Sequence, residues 1–319
     1  MPMYDKSELA ATTAKYGFHR DVFEKVLRLR NVLEFFQKDE LLKEHFALKG
    51  GTAINLTVFQ LPRLSVDIDM DYIPNDSKED MMSNREMIGS LLTNYMESEE
   101  YDLSVNSRFS HSLDSFHFQY RNAAGNKDMI KIELNYSMRS YVLDIADREI
   151  LTDAFGERIR IRTVHPIEIF AAKANALINR AAARDLYDFC NLANSTLFST
   201  QIERDLLRKT VVFYATISAE TVNRHFDTTA VDNLSFARIQ RDLFPVLTSS
   251  ETSRHFELDD YKDTSKNYLR ELMVLTPDEE EYIESFIRGV YKPELLFSDE
   301  TIVRRIANHP MAIWKCSSK

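Results

Sequence analysis

Residues 46–73 read FALKGGTAINLTVFQLPRLSVDIDMDYI, and within them the run Ser65-Val66-Asp67-Ile68-Asp69-Met70-Asp71 restricts the fold most. Strict alternation of carboxylate and apolar side chains fits a strand, because successive side chains of a strand point to opposite faces. Asp67, Asp69 and Asp71 then share one face, while Ile68 and Met70 point from the other towards a core. Same-face neighbours sit about 6.5–7 Å apart at the Cα. Carboxylates that close repel unless something cationic neutralises them. Mg2+ does so, usually held by one or two carboxylates together with substrate phosphates. The competing reading is a solvated edge strand, and DxD alternation taken alone favours it.

The residues just upstream supply a second half. A short apolar run, Phe46 to Leu48, is followed by Gly50 and Gly51, then Thr52. A helix-like stretch is expected over residues 53–59, with a turn at Pro62. A glycine pair between a strand and a helix lets the backbone approach a ligand closely. The N–H groups at the start of the following helix suit an anion. A phosphate cradle and a metal-binding carboxylate pair would thus lie about fifteen residues apart in one strand–helix–strand unit.

Composition narrows the class. A length of 319 residues suits one large domain or two ordinary ones, and 44% hydrophobic residues is ample for a core. No run approaches the eighteen or so apolar residues of a membrane span, and the first residues lack the apolar segment of a signal peptide. Cys190 and Cys316 are far apart and form no CxxC, which fits a reducing cytoplasm and no zinc site. The net charge of −10 opposes a nucleic-acid partner unless a local basic patch or a bridging metal offsets it. It also leaves room for a basic protein partner.

Periodicity places the remaining elements. Val22, Val26, Leu29, Leu33 and Phe36 mark a long amphipathic helix, and Leu41 and Leu42 a second short one. Residues 75–84 read as a polar loop and residues 85–96 as a helix. Residues 101–109, 115–120 and 128–138 are rich in strand formers, with a turn at 122–126. In the last of these strands Lys131, Glu133 and Asn135 share a face. Arg158, Arg160 and Arg162 alternate on another strand, as edge charges that deter aggregation or as a phosphate-contacting strip. Pro166 opens a strong helix carrying Lys173 and Arg180 on one face. A break near Ala182 precedes a helix with Asp185 and Asp188 on one side. Helices are expected over residues 201–222, 268–274 and 276–289, with residues 226–262 mixed and polar. There is no GxxxxGK[ST], GxGxxG or HExxH motif, and His165 and His309, each before a proline, read as structural.

Leu48-Lys49-Gly50-Gly51-Thr52-Ala53 and Arg63-Leu64-Ser65-Val66-Asp67-Ile68-Asp69 resemble the first block of the AbiEii/AbiGii toxin family. These are nucleotidyltransferases of abortive-infection and type IV toxin–antitoxin systems, with a Gly-Gly/Ser-Thr element and then Arg-x-Ser-x-Asp-x-Asp. Glu168-Ile169-x-x-x-Lys173, Arg180 and Arg184-Asp185-x-x-Asp188 resemble its second block, and Tyr291-Lys-Pro293 with Asn308-His309-Pro310 its last. The likeness spans residues 20–316 and is loose over 195–265.

The resemblance implies an α+β fold: a nucleotidyltransferase-like mixed β-sheet with flanking helices over residues 1–165, then a mostly α-helical domain over 166–319. It implies a cytoplasmic NTP-dependent nucleotidyltransferase in which Asp67, Asp69, Lys173 and Asp185 are catalytic. Gly50, Gly51, Thr52, Ser65, Lys173 and Arg180 would bind the nucleotide, and Asp67 and Asp69 would hold Mg2+. Glu133, by type and position, is the candidate third carboxylate, with Lys131 an alternative ligand and a plain exposed strand the bland option. Arg180, Arg184 and Asp188 can equally form a structural salt-bridge set. The implied acceptor is the 3′ end of tRNA, with a cognate antitoxin as partner. The alternatives are modification of a protein such as the antitoxin, and a non-catalytic binding module on the same fold.

Overall fold

The computed structural model describes residues 4–218, 222, 224–254 and 256–317. The chain forms two compact units, one of Met1–Arg139, Ile145–Val164 and Phe244–Arg254, the other of Ser140–Asp144, His165–Leu243 and His255–Lys319.

The first unit holds one mixed sheet. Its strands are β1 (Phe46–Leu48), β2 (Asp67–Tyr72), β3 (Asp102–Leu103), β4 (Arg108–Phe109), β5 (Leu113–Arg121), β6 (Lys127–Asn135), β7 (Ala146–Glu149) and β8 (Arg160–Thr163). They follow the order β3-β5-β6-β2-β1-β8-β7, with β4 also on β5. β2 is antiparallel to β1 and parallel to β6, and β1 is parallel to β8. The aspartate run is therefore an interior strand with ladders on both sides, which overturns the edge-strand reading. Ile68 and Met70 are buried, as are Ile130, Ile132 and Leu134 of β6. The Arg20–Lys38 helix adds Phe23, Val26, Leu29, Leu33 and Phe36 to the core. Within that helix Glu24 accepts from Arg28 Nη2 (2.6 Å) and from the Ala123 N–H (2.8 Å), tying the helix to the β5–β6 turn.

Three local expectations need correction. The helix expected over residues 53–59 begins earlier, as Gly50–Ala53, and continues as a π-helical stretch, Ile54–Val58, in which Phe59 N–H bonds Ile54 O at 2.9 Å. The loop expected at 75–84 is mostly helix: Lys78–Ser98 starts at Ser77, whose Oγ accepts from Asp80 N–H at 3.0 Å. A Ser cap with acids in the first turn makes a polar segment a good helix start. The strand expected over 101–109 is split into β3 and β4. Ser104 diverts the backbone, accepting from Asn106 N–H through its side chain (3.2 Å) and from Ser107 N–H through its carbonyl (3.0 Å). A segment of the late chain, Phe244–Arg254, belongs to this unit, where Val246 O accepts from Leu64 N–H at 2.8 Å.

The second unit is helical. Pro166–Asn179 and Ala183–Ala193 flank a break at Ala181, which adopts a φ of 44°. Gln201–Ser218 packs against the former, Leu258–Leu272 against the latter. The helix expected over 201–222 ends its described part at Ser218; residues 219–221 lie outside the described residues. The helix expected at 268–274 is the end of a longer one whose polar first turns, with Asp259 and Asp260, suit a helix start. Pro277–Ile287 carries a capping box from Thr276 and Glu279. His165 and His309 are structural, each accepting through Nδ1 from the N–H two residues on, at 3.2 Å. Among the described residues no helix is long and apolar enough to cross a membrane.

Glu168 anchors this unit. It is fully buried and accepts from Leu143 N–H (2.7 Å), Val142 N–H (3.3 Å) and the Tyr214 hydroxyl. Burial pushes its carboxyl up to about 7 from 4.5, outweighing the Tyr214 and backbone donors. The folded state thus binds this proton more tightly than the unfolded chain, so stability falls as pH rises from 4.5 to about 7 and then levels. Urea unfolding is expected to show a loss on the order of 2–3 kcal/mol across that window. Glu168→Gln should flatten the slope; an equal slope in the variant would contradict this assignment.

Candidate active site

The β2–β6 register builds the polar face one pair at a time. Asp67 lies opposite Lys131, Asp69 opposite Glu133, and Asp71 opposite Asn135. From β5, Ser115 comes opposite Glu133 and His117 opposite Lys131. The three aspartates are not equivalent. Asp71 is 3% exposed and is held by Lys49 Nζ at 2.5 Å and by the Asn135 side-chain amide at 2.8 Å. Its charge is matched inside the fold by these two partners.

Asp69 is the strained member. Burial pushes its carboxyl up to about 6; Lys49 opposes this, and Glu133 and Asp67 add to it. Glu133 goes the other way. Burial would raise it, but Lys131, at 2.9 Å, and a hydrogen bond with Asp69 hold it below the usual carboxylate range. Lys131 is thus the neutralising partner of Glu133. Among the described residues no three His, Cys, Asp or Glu side chains form a ready cage for a metal ion. Asp67 and Asp69, with Glu133 beside the second, do match the small carboxylate set that holds Mg2+ when phosphates complete its shell.

The glycine pair is explained by what presses on it. Gly50 has a φ of 68°, and a Cβ there would fall 2.5 Å from Asp69 Oδ2. A Cβ on Gly51 would fall 2.7 Å from Arg63 Nη2 and 3.1 Å from Ser65 Oγ. Two charged groups therefore lie directly against the backbone where the helix begins, and only glycine admits them. Arg63 is 1% exposed and donates to Leu64 O at 2.8 Å. The Thr52 hydroxyl lies 2.9 Å from Ser65 Oγ and also reaches the Asp67 carbonyl. It pins the turn to the start of β2, beside the N–H groups of the helix start, a kind of place that suits an anion.

In the second unit, Lys173 reaches from its helix to the next, with Nζ 2.7 Å from Asp185 Oδ1 and 3.0 Å from Asp188 Oδ2. Arg180 Nε adds a contact to Asp185 Oδ2 at 3.3 Å, its side chain 71% exposed. Asp185 and Asp188 are buried, as their shared face on the Ala183–Ala193 helix requires.

Gly50, Gly51, Thr52, Ser65, Asp67, Asp69 and Glu133 thus gather in the first unit, and Lys173, Arg180 and Asp185 in the second. Sequence reasoning gave no role to Lys49 or Arg63. The signal for Lys49 was its place beside the glycines, one strand from Asp71; for Arg63 it was the Arg-x-Ser-x-Asp spacing.

The family model for the nucleotidyl transferase AbiEii toxin of type IV toxin–antitoxin systems matches residues 35–289. Among solved structures, the chain is similar to MenT4, a nucleotidyltransferase toxin from Mycobacterium tuberculosis H37Rv. The TM-score is 0.63 at 16% sequence identity, over 97% of this chain and 99% of that one, a likeness of fold. No curated protein sequence matches significantly.

Gly50→Ala is expected to lower stability by about 1–3 kcal/mol, from a positive φ and a clash with Asp69. Gly51→Ala, which has no such φ but sets a Cβ 2.7 Å from Arg63 Nη2, is expected to lose less stability than Gly50→Ala while losing most NTP-induced thermal stabilisation. Melting curves with and without NTP separate the two effects, and unchanged NTP stabilisation in Gly51→Ala would contradict the cradle.

Proposed function

Because the chain belongs to the AbiEii family of nucleotidyl transferase toxins and is a nucleotidyltransferase, we propose that it transfers a nucleotide from an NTP to the 3′ end of tRNA, with Mg2+, and thereby halts translation and growth. The observation that carries this reading is the Asp67–Asp69 pair on an interior strand, with Glu133 in register beside it and the Gly50 turn against Asp69. A like-charged face of that kind, next to a helix start, suits a metal–triphosphate complex.

In the proposed reaction the acceptor oxygen bonds to the α-phosphorus, the bond to the leaving pyrophosphate breaks, and the acceptor proton departs. Asp67 and Asp69 would hold Mg2+, which when bound supplies charge neutralisation for the attacking and leaving oxygens. The N–H groups of Gly51 and Thr52 would bind phosphate oxygens, with Ser65 and Thr52 fixing the turn that presents them. Lys173 would counter charge developing on the triphosphate. Asp185, gripped by Lys173 and Arg180, would orient the incoming hydroxyl or take its proton. Placement and charge dominate such a transfer, and little covalent chemistry is asked of the protein. A cognate antitoxin is proposed as the partner that restrains the enzyme.

The test is incubation with labelled NTPs, Mg2+ and total tRNA. Label is expected on RNA; label on protein alone would favour the protein-acceptor reading, to which the net charge of −10 lends some weight. Asp69→Asn is expected to cut transfer by roughly 10^3 or more and to abolish growth inhibition, with EDTA reproducing the biochemical loss. A fully toxic Asp69→Asn strain would show that metal-dependent transfer is not the toxic activity.

A further inference from the structure

We propose that the short helix Phe236–Asp242, braced by Arg184, is the surface that receives the phosphate backbone of the acceptor RNA; the proposal rests on the RNA reading given above. With a net charge of −10, the chain as a whole repels a polyanion, so an RNA acceptor needs a local concentration of positive charge. The second unit has one. Arg184, Arg238 and Arg241 gather around a single residue, Asp242. Arg241 Nε and Nη2 bond its two oxygens at 2.7 and 2.8 Å, and Arg184 Nε bonds its backbone carbonyl at 2.9 Å. The Arg241 hydrogen bonds, with Arg238 and Arg184 nearby, hold the Asp242 carboxyl below its usual range. Arg241 thus holds the Asp242 carboxylate and Arg184 its backbone carbonyl, with Arg238 nearby, and Arg238 and Arg241 are exposed, the latter with 70% of its side chain open.

Position strengthens the case. Arg184 directly precedes Asp185, the carboxylate gripped by Lys173. The Arg184–Asp242 bond therefore couples the exposed arginines to the helix bearing one candidate catalytic residue, and Arg180 lies on the same carboxylate with its side chain 71% exposed. All four cations are arginine, whose planar fork matches phosphate better than a lysine point charge does. Contacts of this type orient a nucleic acid without reading its sequence. An acidic protein would meet the same charges, and the experiment separates the two.

Transfer to RNA is measured for the wild type and for Arg238→Ala/Arg241→Ala, across a range of salt concentrations. The double variant is expected to raise KM for RNA about tenfold and to lower the log–log salt slope by about 1.5–2, since each lost phosphate contact releases fewer counterions. KM for NTP and the melting temperature should hold, and Arg238→Lys/Arg241→Lys should restore most of the salt slope. If the wild type labels RNA but the variant keeps its KM and slope, the surface is wrong and the RNA reading stands. If the variant instead loses only antitoxin binding, the surface belongs to a protein partner and the proposal fails. If the wild type labels no RNA, this proposal fails together with the acceptor reading.

Discussion

Asp67, Asp69 and Glu133 share one face in the middle of a sheet, where their mutual repulsion sets the terms for everything around them. At an effective dielectric of about 20, two unit charges about 5 Å apart repel by roughly 3 kcal/mol. The fold answers that repulsion only in part. Lys131 holds Glu133 and Lys49 holds Asp71, while Asp69 is left with its carboxyl pushed up to about 6 by burial and by its acidic neighbours. In the proposed function a divalent cation with an attached triphosphate would lie against this carboxylate face.

The frame is the sheet itself. Two ladders fix β2 from both sides, so the aspartates cannot swing apart, and the glycine turn lies so close that its Cβ positions are already filled by Asp69 and Arg63. The second unit handles charge in the opposite way. Its lysine is enclosed by two buried aspartates and its carboxylate by a lysine and an arginine. Long side chains are thereby held in one geometry.

Much of this was legible in the sequence because the informative signals were local. Alternation at 67–71 fixed the face of each aspartate, and Pro166 and the Ala181–Ala182 break fixed the two helices that carry Lys173 and Asp185. The AbiEii resemblance agreed with the family match. What escaped depended on partners distant in the chain. That β2 is interior follows from pairing with β6, some sixty residues on. The neutralisation of Asp71 needs Lys49 from β1's end and Asn135 from β6. The Ser77 cap turned an expected loop into helix because polar residues are as much at home in a first turn as in a loop. The strand split at Ser104 came from side-chain bonds that periodicity does not register.

If the paired aspartates take a cation that arrives with nucleotide, as proposed, Mg2+ must act on NTP binding through them. Calorimetric titration of a non-hydrolysable NTP into the wild type and Asp67→Asn/Asp69→Asn, each with and without Mg2+, tests this directly. Mg2+ is expected to tighten binding to the wild type at least tenfold and to have no effect on the double variant. Equal Mg2+ enhancement in both proteins would contradict the proposal.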